Sequence, residues 1–267
     1  MVAREHERYY RWRRREMVGT LSFWAELWLE ADRLAGYDEW RALAAQKGRT
    51  VDNGTIRYYM TRTLLDEVLY AAGGVETELI RLEADVEAAQ RWTDDAFRDQ
   101  PSNGGGNTFS GAASLQDAFY AFTNLLFWAR AVEERTDRVY KRGSPSRTGL
   151  LPALAPGELH DRVAAALRIL KRDLAETRWM ANFALHAGPL PGGGSPSALV
   201  GEGGLLRLRL PNRLKGRITT WEEFSYSENR DMVTFAREVM THIEDFIEEV
   251  LTAFEDARPE RAGPLPP

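Results

Sequence analysis

Apolar residues recur at three- and four-residue spacing along most of this 267-residue chain, the period of helices that turn one face toward a core. Tyr9, Trp12, Leu21, Trp24, Trp28 and Leu29 give a first helix, Glu5 to about Leu34, a broad aromatic side, and a short helix around Trp40 and Leu43 follows. Residues 55–99 form a long helical arm. Ile56, Tyr59, Met60 and Leu64 stripe its first half, and Val75, Leu79, Leu82, Val86 and Ala89 resume the stripe after Gly73-Gly74. A glycine pair inside a helix predicts a kink there, or a split into two helices. Leu115, Phe119, Phe122, Leu125, Leu126, Ala129 and Val132 make the most apolar face of the chain, so a helix from Ser114 to about Tyr140 lies centrally, with Asn124 as a satisfied helix-face amide. Val163, Leu167, Leu170, Leu174, Ala181 and Leu185 carry the pattern through one helix from about Glu158 to His186, which Gly188 and Pro189 stop.

The period then changes. Residues 188–204, rich in glycine and proline, predict a loop; Leu206-Arg207-Leu208-Arg209-Leu210 alternates strictly, and Ile218, Thr219 and Thr220 favour a second strand. A closing helix is predicted from Ser225 or Ser227 to about Asp256, with Met232, Phe235, Val239, Ile243, Phe246, Val250 and Phe254 on its core face. The fold class is therefore all-α: a helical bundle with a long N-terminal helical arm and a small two-stranded β-hairpin before the last helix. Residues 1–100 form an N-terminal helical region packed on a core of residues 112–256, and residues 257–267 a disordered, proline-rich tail. The connection at 101–111 is glycine-rich but lacks the Gly-Lys-Ser/Thr ending of a phosphate-binding P-loop, and no strand pattern precedes it.

Composition narrows the chemistry. The absence of cysteine excludes disulfides, thiolate metal sites and cysteine nucleophiles together. No apolar run approaches the length of a membrane span and the start is charged, so a soluble cytoplasmic protein is expected. The net charge of −5 is unevenly spread: Arg4, Arg8, Arg11, Arg13, Arg14 and Arg15 crowd the start, while Glu222 to Glu260 is strongly acidic. The two ends can attract different partners or each other. Arg11, Arg14 and Arg15, interleaved with Tyr9, Tyr10 and Trp12, suit nucleic-acid binding by phosphate contact and stacking. A solvated helix start whose aromatics join the core accounts for the same residues more simply.

With four histidines, the chain holds neither the repeated Glu-x-x-His of a di-iron bundle nor His-Glu-x-x-His, and no Gly-x-Ser-x-Gly elbow. His242 follows Glu238 at i+4, the spacing of a surface pair. The strongest constellation is Arg178, Asn182 and His186. Four residues apart, they form one polar row bordering the apolar stripe, with His186 in the last turn, where the helix dipole favours a protonated ring. An interhelical hydrogen-bond network capping the core would use the same three residues.

The run Asn182-Phe183-Ala184-Leu185-His186, late in a helix of an all-α chain and followed by a Gly/Pro loop, a hairpin and a closing helix, resembles the HEPN superfamily. The central helix ending in Arg130-Ala-Val-Glu-Glu-Arg135 is similar to part of that family's four-helix core, and the resemblance covers roughly residues 112–256. The family pattern is an arginine, commonly a polar residue, then a histidine on one helix. Here Ala181 stands directly before Asn182, where arginine is usual, and the nearest upstream arginine is Arg178, about 12 Å from His186 along the axis. The resemblance implies a homodimer with a composite cleft for RNA and metal-independent ribonuclease activity without a cofactor. In it His186 is general base or acid, Arg178 stabilises the transition state and Asn182 orients the phosphate or the ring. It also implies toxin or phage-defence roles, control by an antitoxin or other partner protein, and, among non-catalytic relatives, binding of a nucleotide or a protein.

Overall fold

A computed structural model describes residues 53–97, 107–108, 113–141, 158–186, 198–200, 205–211 and 226–256, together with Arg8, Arg11 and Trp12. The fold is all-α, with a small antiparallel sheet before the last helix. In chain order it comprises α1 (Asn53–Phe97), β1 (Asn107–Thr108), α2 (Ala113–Lys141), α3 (Glu158–Asp173), α4 (Ala175–His186), β2 (Ala198–Val200), β3 (Leu206–Pro211), β4 (Tyr226–Asp231) and α5 (Met232–Asp256). No helix among the described residues is long and apolar enough to cross a membrane.

The glycine pair does not break the arm: α1 runs unbroken for 45 residues. Gly74 serves packing instead. A β-carbon there would lie 2.7 Å from Cγ and 2.8 Å from Cε2 of Trp128 on α2, closer than real β-carbons come. The indole ring occupies the space that any side chain would need. Thr77 Oγ1 donates to the Gly73 carbonyl at 2.8 Å within the same stretch. Conversely, the helix predicted to run unbroken from Glu158 to His186 is interrupted for one residue at Leu174, whose side chain stays buried, and resumes as α4 with the Arg178 amide donating to the Leu174 carbonyl at 2.9 Å.

The sheet order is β1-β2-β3-β4. Leu206, Leu208 and Leu210 face the core as their alternation predicts, and the Leu206 amide donates to Gln90 Oε1 of α1 at 2.6 Å. The sheet extends further than a hairpin. Ala198–Val200, within the predicted loop, pairs with β3 in the register Ala198↔Leu208 to Val200↔Leu206, and Asn107–Thr108 adds a further short strand. Ile218, Thr219 and Thr220 lie outside the described residues; the strand pairing with β3 on its other side is Tyr226–Asp231, irregular between Arg209 and Pro211, where proline has no amide to donate. Consequently the closing helix begins at Met232 and not near Ser225 or Ser227. Asp231 is its cap: Oδ1 accepts from the Thr234 amide at 2.9 Å and Oδ2 from the Thr234 hydroxyl at 2.6 Å.

The chain divides into two compact units. In the unit of residues 71–131 and 172–243, α1, α2, α4, α5 and the sheet enclose Ala72, Val75, Leu82, Phe122, Leu125, Met180 and Ile243. Phe122 meets Phe235 edge-on at 6.2 Å, and Arg237 of α5 pairs with Glu83 of α1 at 2.7 Å. Asn124, read as a helix-face amide of α2, is exposed. The other unit holds residues 7–70, 132–171 and 244–267. There Arg135 Nη1 donates to the Glu67 carbonyl at 2.8 Å, Lys171 pairs with Asp137, and Arg162 bridges Glu249 and Asp256 at 3.0 and 2.8 Å. The basic start meets the acidic end within this unit: Arg8 and Arg11 pair with Glu244 at 2.9 and 2.5 Å, and the fully buried Trp12 donates its indole N–H to Glu248 at 3.0 Å.

Candidate functional site

Three residues fix how α4 sits. Thr177, Met180 and Ala181 are buried, two of them completely, so the line i, i+3, i+4 is the inner face of the helix. At about 100° per residue, Arg178 and Asn182 are then turned away from the core on one flank, and Trp179 and Phe183 on the other. Both aromatic rings are half-buried, 6.3 Å apart between centroids. Leu185, expected on the core stripe, is 58% exposed: the core ends with Ala181, one turn before the helix does.

The first turn of α4 is tied down by charge. Glu176 receives two hydrogen bonds of 2.9 Å from Arg230 of β4, one on each carboxylate oxygen, and the Arg230 guanidinium carbon lies 5.7 Å from the Phe235 ring centroid. Such a forked pair fixes geometry as well as adding energy. The carboxylate holds the Arg230 guanidinium above its ordinary pKa against the opposing effect of burial. A carboxylate in the first turn is also favoured by the helix dipole.

The Arg178/Asn182/His186 row acquires a fourth member. Arg130 of α2 donates from Nη1 to Asn182 Oδ1, both side chains being half-buried. Asn182 therefore joins two helices and turns its amide toward a guanidinium that the linear pattern leaves out. A sequence signal for Arg130 exists: it is the first charged residue after Asp117, ending a long uncharged run on the central helix. Arg178 is half-buried one turn earlier on α4, and His186 is the last residue of the helix; its side chain lies outside the described residues. Ala181, in the position where the resembling family has arginine, is completely enclosed and could not accommodate one.

Of the amino-terminal candidates, Arg11 is engaged with Glu244, while Arg14 and Arg15 lie outside the described residues. His242 faces Asp173, Nδ1 to Oδ2 3.7 Å, and not Glu238. Asp173 also accepts from Arg172 at 2.7 Å, and that hydrogen bond holds its carboxyl below the usual range despite burial. Among the described residues no three His, Asp or Glu side chains converge as a metal ion would require. Chemically, the Arg130–Asn182 cluster offers guanidinium and amide groups suited to phosphate oxygens, on a helix that ends in a histidine. Compared with protein-family models, curated proteins and solved structures, the chain gives no match.

Proposed function

We propose that this chain is a HEPN-like, metal-independent endoribonuclease of the toxin or phage-defence type, acting on RNA in the cytoplasm as a homodimer and controlled by an antitoxin or other partner protein. The observation that supports this most is the Arg130–Asn182 hydrogen bond. It brings to the row a guanidinium that position 181 cannot supply. In the proposed reaction His186 takes the proton of a ribose 2′-hydroxyl. The 2′-oxygen bonds to the adjacent phosphorus as the bond to the 5′-oxygen breaks, leaving a 2′,3′-cyclic phosphate, and the departing oxygen is protonated. Arg130 and Arg178 offset the charge that builds on the phosphorane, and Asn182 orients the phosphate. No cofactor enters the scheme.

Exposed Leu185, with Trp179 and Phe183 half-exposed on the same helix, favours a second reading: a non-catalytic module that uses α4 to hold a protein partner or a nucleotide. Purified protein incubated with RNA in EDTA separates the two. The ribonuclease reading requires EDTA-resistant cleavage that falls by about 100-fold or more in His186→Ala and in Arg130→Ala, with Arg178→Ala and Asn182→Ala also impaired. No cleavage by wild type at any concentration, or cleavage retained in His186→Ala, leaves the binding module. Expression of wild type slowing growth no more than His186→Ala would remove the toxin role.

A further inference from the structure

Threonines inside helices commonly place the hydroxyl proton on the carbonyl four residues back. Thr77 donates to Gly73, Thr93 to Ala89, Thr123 to Phe119 and Thr136 to Val132, at 2.7 to 2.9 Å. Thr177 does not. It is 1% exposed, as is Thr93, yet its hydroxyl oxygen is enclosed and has no hydrogen-bond partner among the described residues. The cause is the break between α3 and α4. The residue four before Thr177 is Asp173, the last of α3, whereas the ladder of α4 opens with the Arg178 amide donating to the Leu174 carbonyl. The Asp173 carbonyl thus belongs to the end of one helix and the Thr177 hydroxyl to the first turn of the next. Helix ends leave main-chain groups without intrahelical partners, acceptors at the end of α3 and donors at the start of α4. The enclosed hydroxyl stands at that junction.

We propose that the break binds one internal water molecule, held by the Thr177 hydroxyl and by main-chain groups of Asp173 and the first turn of α4. A buried hydroxyl without a partner is costly, and nearly all such groups in folded proteins are satisfied. Water inserted into the i→i−4 ladder is a known cause of helix interruption. A buried water makes about three hydrogen bonds, which a hydroxyl, a carbonyl and an amide at the junction supply. The ligand is neutral because the charges flanking the break are already matched: Asp173 accepts from Arg172 at 2.7 Å, and Glu176 accepts from Arg230 on both oxygens. What remains is a hydroxyl and peptide dipoles, and among the described residues no three His, Asp or Glu side chains converge as a metal ion would require. The water ties Asp173 to the first turn of α4, five residues before Asn182, whether α4 serves RNA or a partner.

Valine keeps the branched shape of threonine without its hydroxyl, which makes the direction of the effect decisive. Thr177→Val in the full chain is expected to raise the unfolding equilibrium constant, from urea titration, about tenfold, because the junction's main-chain groups lose the water that satisfies them. Thr93→Val, at equal burial, is expected to change it by about threefold at most, since the Ala89 carbonyl keeps its helical amide. A constant that falls in Thr177→Val, or rises no more than in Thr93→Val, overturns the site: removing a merely stranded hydroxyl relieves the fold. A crystal structure of the wild-type chain supplies a test that needs no variant. Density for a water about 2.8 Å from Thr177 Oγ1, and within hydrogen-bond distance of a main-chain nitrogen or oxygen at the break, is expected. Density placing the Thr177 hydroxyl on the Asp173 carbonyl, or none at the break, overturns the proposal. Thr177→Ser, which keeps the hydroxyl, is expected to retain the water.

Discussion

The closing helix α5 and the short helix α4 divide the same kinds of residue differently. Along its 25 residues α5 buries Met232, Phe235, Ala236, Val239, Met240, Ile243, Phe246, Ile247 and Leu251 and keeps Arg237, Glu238, Asp245 and Glu249 outside. Across its 12 residues α4 buries Met180, Ala181 and Thr177, yet leaves Leu185 largely exposed, Trp179 and Phe183 half-exposed, and Asn182 bound to an arginine from another helix. Packing accounts for every apolar position on the described face of α5. It accounts for only the inner line of α4, whose other flanks combine apolar, amide and guanidinium groups. Single exposed leucines are ordinary; the arginine–amide pair and the two half-exposed aromatic rings lie on separate flanks of α4, and neither flank is accounted for by the core that covers its inner line.

Substitutions rank this contrast. The largest effect is expected for Ala181→Arg, which forces volume and charge into the enclosed inner face of α4 and costs more than about 3 kcal/mol in urea unfolding. Stability like that of wild type would mean that the inner face opens to solvent and that the two helices are alike. Next, Ile243→Ala on α5 removes a fully buried side chain and costs about 2–5 kcal/mol by the same measurement. A smaller change is expected at Asp85 on α1, an intermediate case. Its carboxyl is pushed up by burial first and by Asp117 second, against the opposing Arg81. The folded chain therefore binds that proton more tightly than the unfolded chain, and stability declines as pH rises from the ordinary aspartate value through the raised one. Asp85→Asn is expected to raise Tm slightly at neutral pH, with the gap to wild type closing on acidification; a gap that widens on acidification would reverse the assignment. Last, Leu185→Ser is expected to stay within about 0.5 kcal/mol of wild type. A cost like that of Ile243→Ala would erase the difference between α4 and α5.

Much of this was legible in residue order where a periodic pattern met a core. The stripes of α2 and α3 became buried faces, as did Leu206, Leu208 and Leu210 and, on α1 beyond Gly74, Val75, Leu79, Leu82 and Ala89, while Val86 is half-buried. The stripe of α5 drifts: Val250 is half-buried, and Ile247 and Leu251 take the inward positions. A helix of 3.6 residues per turn moves a fixed heptad spacing gradually off its face. Misjudged positions share another cause. Gly74 looked like a breaker because its reason is Trp128, more than fifty residues later. Leu185 continued a stripe beyond the last side chain that could cover it. Ala198–Val200 acquired a strand from pairing with β3, which local composition does not reveal. The candidate row was visible as spacing; Arg130 was visible only as the end of an uncharged run, and its place beside the row was not, since the contact with Asn182 joins positions far apart in the chain.

Residue order alone determined that the chain is built of amphipathic helices, which side of most of them seeks a core, and that Arg178, Asn182 and His186 share a helix. These follow from periodicity, which is local. Tertiary structure decided that Ala181 is enclosed, that an indole lies where Gly74 has no side chain, and that an arginine from α2 reaches the amide on α4. Each depends on which surfaces meet across the fold, and that follows from the packing of the whole chain.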